Sequence, residues 1–217
     1  MSNLHDGCGA HGHGTWSGTW QNVRGDIDRH LTMTPDSAAL EITLKRKIGS
    51  FLRPEIQSLF FHRLAHYLHV NNWRRLARAI SRLNFQLHKI NITPQSCIGP
   101  RCRLPHPPGV MFHGRAGSDL TIYSLAICTT AEDNLDGYPE SGPHLGNHVL
   151  LGAHCVLMGP ISVGDGSKIV FAVRLNCDVP SGVIALSKVL RLSYQSPDGG
   201  KVSSRAGNLA TNSGHRD

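Results

Sequence analysis

No run of this sequence approaches the eighteen or so uncharged apolar residues that a membrane-spanning helix requires. Residues 1–20 have neither the basic start nor the apolar core of a signal peptide. No Cys-x-x-Cys pair is present either. The six cysteines (Cys8, Cys97, Cys102, Cys128, Cys155, Cys177) are scattered, which argues against a disulfide framework and for reduced thiols acting as small buried fillers. Acidic residues are scarce in one region: between Lys45 and Arg82 there are nine Lys or Arg and a single acid, Glu55. Together these absences predict a cytosolic protein with no membrane partner.

The chain has 217 residues with 40% hydrophobic content, enough to bury a core in one or two domains. The formal net charge of +7 raises the question of an anionic partner. The basic cluster lacks any nucleic-acid recognition motif, so it reads as the wet face of helices and no nucleic-acid partner is expected. Residues 1–35 are rich in Gly, His, Thr and Asp with little apolar periodicity, which predicts disorder. His5, Cys8, His11 and His13 invite a metal hypothesis, yet the second half of a zinc-site spacing is missing, so no metal site is expected.

A helical region is predicted over residues 36–90. Ile56, Leu59, Phe60, Leu64 and Leu68 share one face of a helix that opens at Pro54 and ends near Asn71-Asn72. A second helix starts about Trp73, with Trp73, Leu76, Ile80, Leu83 and Leu87 forming an apolar stripe opposite Arg74, Arg75, Arg78 and Arg82. The two are expected to form a hairpin packed on the segment beginning at Asn91.

That segment has a period of six. Counting from Ile92 gives Ile98, Leu104, Val110, Ala116 and Ile122, and Leu145 restarts the count with Leu151, Leu157, Val163, Ile169 and Leu175. All but Ala116 are Ile, Leu or Val. A six-residue repeat suits a short strand plus a corner, the anchor pointing inward, and three such sides close one triangular coil. Gly99, Gly117, Gly146, Gly152 and Gly164 come directly after anchors, where glycine is expected to supply corner angles. Ser96, Cys102, Gly114, Ala126, Cys155 and Ser167 place small residues at a second recurrent position. The fold class is therefore mainly β, a parallel β-helix of about four coils over residues 91–187, behind a small α-helical hairpin. The stretch Thr129–His144 breaks the register with Glu132, Asp133, Asp136, Gly137, Pro139 and Gly142, and is the candidate active-site loop. Residues 188–217 read as a flexible tail.

Between Phe60 and Pro180 the chain resembles the serine acetyltransferases, within the wider hexapeptide-repeat acyltransferases. The resemblance is carried by Phe61-His62-Arg63-Leu64-Ala65-His66-Tyr67-Leu68, by Ile90-Asn91-Ile92-Thr93-Pro94, by Leu104-Pro105-His106-Pro107-Pro108-Gly109-Val110, and by Leu151-Gly152-Ala153 with Val163-Gly164-Asp165-Gly166. It implies a left-handed helix, a homotrimer, with the pairing of trimers into a dimer of trimers left open, and acetyl-CoA bound between neighbouring subunits. It implies His106 as the general base on an acceptor hydroxyl, with Asn91, where the family has aspartate, orienting the imidazole. Pro105 stands where the family has a serine-holding aspartate. Ser141 and His144 are the loop positions nearest the family's acceptor contacts. Ala153, Lys168 and Phe171 fall on the acyl-CoA channel, with Val170 and Phe171 replacing small residues. His62, His66, His69, His113, His148 and His154 are read as solvent-facing. The implied activity is acetyl-CoA-dependent O-acetyl transfer to serine or a serine-like acceptor. A sugar or polysaccharide O-acetyltransferase and a non-catalytic trimeric scaffold remain as alternatives.

Overall fold

The computed structural model describes residues 12–33, 49–130 and 141–186. His5, Cys8 and His11, the centre of the Thr129–His144 excursion and the proposed tail lie outside those residues. Helix α1 spans Trp16–Thr32, α2 Pro54–Val70 and α3 Arg74–His88. Thirteen short strands complete the described chain. Of these, β1 (Asn91–Ile92), β2 (Cys97–Ile98), β3 (Met111–Phe112), β4 (Arg115–Ala116), β5 (Thr121–Ile122) and β6 (Ile127–Thr129) precede the excursion. After it come β7 (His144–Leu145), β8 (Leu150–Leu151), β9 (Val156–Met158), β10 (Ser162–Val163), β11 (Lys168–Ile169), β12 (Arg174–Leu175) and β13 (Ile184–Ala185). Among the described residues no helix is long and apolar enough to cross a membrane.

The strands form three parallel sheets, the faces of a prism. The first face runs β1-β3-β6-β9-β12, the second β2-β4-β7-β10, and the third β5-β8-β11-β13. Inward anchors Ile98, Ile122, Leu151, Leu157 and Ile169 are wholly buried, and the small corner residues Ser96, Cys102, Ala126, Cys155 and Ser167 fill the gaps between them. Burial pushes the Cys102 and Cys155 thiols up to about 12, as for inert fillers, whereas Cys177 is exposed.

The structure corrects several expectations. There are five coils, not about four: Cys128 continues the count before the excursion, and Val179 and β13 continue it after Leu175. The anchor of the second coil is Phe112, not Val110. Phe112 is in register with Ile92 below and Cys128 above, so the corner before it holds two extra residues and the link to β4 is short by two. The two errors cancel, which is why the count of six appeared unbroken. The glycines after the anchors do not supply left-handed angles, which belong instead to the corner positions of Arg101, Asp119, Leu125, His148, His154, Gly166, Ala172 and Gly182. Those glycines permit close stacking: a Cβ on Gly152 would lie 2.7 Å from the Phe171 backbone nitrogen, and one on Gly164 2.4 Å from that of Ser181.

The fourth correction concerns the disorder expected over residues 1–35. Residues 16–32 are helical, because Val23, Ile27 and Leu31 recur at every fourth place and pack with Ile56. The helix is capped by Thr15, whose hydroxyl accepts from the Gly18 N–H at 3.1 Å. Thr15→Ala is expected to cost about 1 kcal/mol in urea unfolding, and Thr15→Asn to cost almost nothing. Charged side chains then lock α1 against the first coil. Arg63 of α2 makes a two-pronged ion pair with Asp26 (3.0 and 3.1 Å) and donates to the carbonyls of Ile98 and Gly99. Asp26 also accepts from the Cys102 N–H at 2.7 Å. Arg29 donates to the carbonyls of Arg101 and Leu120. Burial pushes the Asp26 carboxyl up from its ordinary value, and the Arg63 guanidinium opposes that push.

The hairpin of α2 and α3 has the expected bounds but not the expected facing. Helix α3 turns Ala77, Asn84 and His88 inward, with Asn84 donating to the Ser58 carbonyl at 3.0 Å. Trp73, Leu76, Leu83 and Leu87 are exposed instead. A seam of small and hydrogen-bonded residues lets the two helices approach closely, and the wide apolar side chains are left outside.

Candidate active site at the third corner

The prism has three corner columns, and the third joins the third face to the first face of the next coil. Its segments stack through backbone bonds: Leu125 N–H donates to the Pro108 carbonyl (3.3 Å), His154 to Ser124 (3.2 Å), and Ala172 to Ala153 (2.9 Å). His106, Ala153 and Phe171 therefore lie on one column. At about 4.8 Å per coil, Ala153 is about 10 Å from His106 along the prism and Phe171 about 14 Å.

His106 is pushed out to solvent by the two extra residues of its corner. The segment is stiff, since Pro107 and Pro108 fix their own φ angles and Gly109 takes φ +76°, a left-handed angle. A Cβ on Gly109 would lie 2.3 Å from the Leu125 side chain. Asn91 sits on β1, half-buried, its N–H bonded to the Val110 carbonyl at 2.8 Å; the Gly109 N–H bonds the Lys89 carbonyl at 2.8 Å. The backbone bearing Asn91 is thus tied to the loop bearing His106. Pro105 is half-buried at the base of that loop.

Beside this column, over the first face, runs a groove of ≈ 430 Å³ lined by Leu125, Ile127, His154, Val156, Ala172 and Arg174. The groove is shallow and open to solvent. Lys168 is exposed on β11, three residues before Phe171, which is 67% exposed. The aromatic ring therefore projects from the corner and does not fill the interior.

Ser141 and His144 lie elsewhere. His144 opens β7 on the second face, opposite Arg115, one full side of the prism away from the His106 corner. The end of the excursion is pinned there, with Arg115 N–H bonded to the Pro143 carbonyl at 3.0 Å. One chain therefore sets His106, Ala153 and Phe171 along a single corner column, with Asn91 tied to the His106 loop through the backbone and Lys168 on the adjoining third face, and places Ser141 and His144 a side away. The groove residues escaped the sequence reading because outward positions of a repeat obey no period, and His154 was set aside as an ordinary corner histidine. His148 and His154 are solvent-facing as expected, whereas His62 and His66 are almost wholly buried.

No protein-family model matches the chain. It is 32% identical over 183 residues to the serine acetyltransferase of Mycobacterium tuberculosis, covering 82% of this chain and 76% of that protein. It is 34% identical over 137 residues to that of Helicobacter pylori, covering 62% and 78%. Among solved structures, Entamoeba histolytica serine acetyltransferase isoform 3 in complex with cysteine superposes with a TM-score of 0.69 at 20% identity, over 83% of this chain and 62% of that one. The Neisseria gonorrhoeae serine acetyltransferase in complex with serine gives 0.69 at 18% identity, over 79% and 68%. At such identities the structures establish the fold, a left-handed parallel β-helix.

Proposed function

The chain belongs to the serine acetyltransferase family, and from that premise we propose that it transfers the acetyl group of acetyl-CoA to the hydroxyl of serine or a serine-like acceptor. The observation that carries this reading is the third corner column. A rigid, outward histidine stands at one end, Ala153 and Phe171 line the column above it, and a groove of ≈ 430 Å³ runs alongside.

The acceptor oxygen attacks the thioester carbonyl carbon while one ring nitrogen of His106 takes its proton. The carbon–sulfur bond then breaks, and the imidazolium returns the proton to the departing thiolate. An alcohol is a poor nucleophile at neutral pH, and imidazole is the side chain whose proton affinity suits the task. Asn91 orients the ring by accepting a hydrogen bond but brings no charge to the imidazolium. Lys168 and Arg174 supply cations for the phosphates of the donor, and Phe171 lies along its chain.

The working form is a cytosolic homotrimer. Ser141 and His144 lie a side away from their own His106, and a neighbouring subunit places that loop against the groove to complete the acceptor pocket with Pro105. The test is CoA release across amino-acid and sugar acceptors. Turnover with L-serine, giving O-acetylserine by mass spectrometry, is expected to exceed that with any sugar. Turnover confined to sugars would indicate a sugar O-acetyltransferase. No turnover together with no calorimetric binding of acetyl-CoA would indicate a scaffold.

A further inference from the structure

Away from the third corner, three segments far apart in sequence meet in a buried cluster that the transfer reaction does not use. His13 comes from the turn before α1, His62 and His66 from α2, and Cys97 from β2. Candidate ligand atoms of His13, His66 and Cys97 all lie within 4.8 Å of one another. The exposures of these three are 2%, 2% and 4%. His66 is oriented as metal-bound imidazoles are: its Nδ1 donates to the Pro94 carbonyl at 2.8 Å, which leaves the Nε2 lone pair available. That Nε2 is buried without a hydrogen-bond partner among the described residues. Beside it stands His62, its ring centroid 6.0 Å from that of His66, with both ring nitrogens buried and lacking hydrogen-bond partners among the described residues. Buried polar atoms left in this state cost roughly 1–3 kcal/mol each, so their accumulation at one place calls for a ligand.

We propose that His13, His66 and Cys97 bind a divalent zinc-type ion, with His62 placed to complete the tetrahedron. Two imidazoles and a thiolate are a zinc donor set, and this ion needs ligand atoms about 3.3–3.5 Å apart, given Zn–N of about 2.0 Å and Zn–S of about 2.3 Å. Closing the trio from 4.8 Å or less therefore asks for a movement of about an ångström. The His13 and His66 rings already stand edge to face at 4.7 Å.

The scaffold is preorganised. Trp16 packs edge to face on Tyr67 at 5.6 Å, and Asn71 donates to the Gly14 carbonyl at 3.4 Å, so the turn carrying His13 is held against α2. The ion would bind as the Cys97 thiol releases its proton, and would staple the start of α1 to α2 and to the first coil. The role is structural, because the site is enclosed and separate from His106.

The experiment is titration of the untagged, metal-free full chain with Co(II), followed by displacement with Zn(II). Expected is uptake of a single Co(II) per chain with the intense visible bands of a tetrahedral site and a thiolate-to-cobalt charge-transfer band, and a rise in Tm on adding Zn(II). Cys97→Ser should lose the charge-transfer band, and His13→Ala should weaken binding by at least about 10-fold. The variant combining His5→Ala, Cys8→Ser and His11→Ala should keep the band, which separates this site from the N-terminal histidines. Absence of the band in the wild-type chain, its survival in Cys97→Ser, or its loss in the triple variant would overturn the proposal.

Discussion

His106→Ala is expected to lower kcat by about 10²–10⁴-fold while leaving the KM for acetyl-CoA within about 2-fold, because a general base contributes to the transition state and not to holding the donor. The geometry makes this separation testable. His106 stands at the foot of the third corner column, whereas Ala153 and Phe171 are two and three coils above it. Removing the imidazole therefore leaves the upper column and the groove untouched. Asn91→Ala should fall between, since its amide orients the ring without transferring a proton. The measurement is steady-state CoA release with saturating acceptor, alongside calorimetric titration of acetyl-CoA. A His106→Ala enzyme matching wild type in kcat would remove this residue from the chemistry. A variant that lost donor binding would mean that the imidazole holds acetyl-CoA.

Arg63→Ala is expected to destabilise the fold by about 3–5 kcal/mol, a large part of the 5–15 kcal/mol that holds a typical domain together. The cost arises from the groups left behind. Asp26 would retain the Cys102 N–H but lose both prongs of its ion pair, and the carbonyls of Ile98 and Gly99 would lose their donors in a site closed to water. In thermal unfolding this corresponds to a fall in Tm of roughly 6–20 °C. The double variant Arg63→Ala/Asp26→Ala should be less unstable than the sum of the single variants, since no unpaired carboxylate remains. Single-variant losses under 1 kcal/mol would mean that the pair lies in a wetter setting than its 1% and 2% side-chain exposures indicate.

The prism and the hairpin were legible because each obeys a short period that burial enforces. Pro54 opens α2 and the Asn71-Asn72 pair closes it, with Asn72 taking a left-handed angle. Helix α1 was not legible for the opposite reason: its apolar stripe is only Val23, Ile27 and Leu31, and much of its anchorage comes from Asp26 and Arg29. Their partners lie 37 to 92 residues away. The facing of α3 was misread because its apolar stripe is the wider one, yet the seam with α2 selects small and hydrogen-bonded residues. In the second coil, two extra residues and two missing ones left the count intact while moving the anchor from Val110 to Phe112. The corner bearing His106 could be recognised through family likeness. The groove and the His13–His66–Cys97 cluster could not, since both depend on residues that meet only after the coils have stacked.

Arg29 and Arg63 grip the first two coils chiefly through main-chain oxygens, those of Ile98, Gly99, Arg101 and Leu120. A grip of that kind is blind to side-chain identity. An outward residue such as Pro100 can therefore be replaced without loosening α1, while Asp26, Arg29 and Arg63 cannot. The helical cap thus divides positions that must keep their side chains, those of the clasp, from positions in the surface it holds that need only keep their backbone.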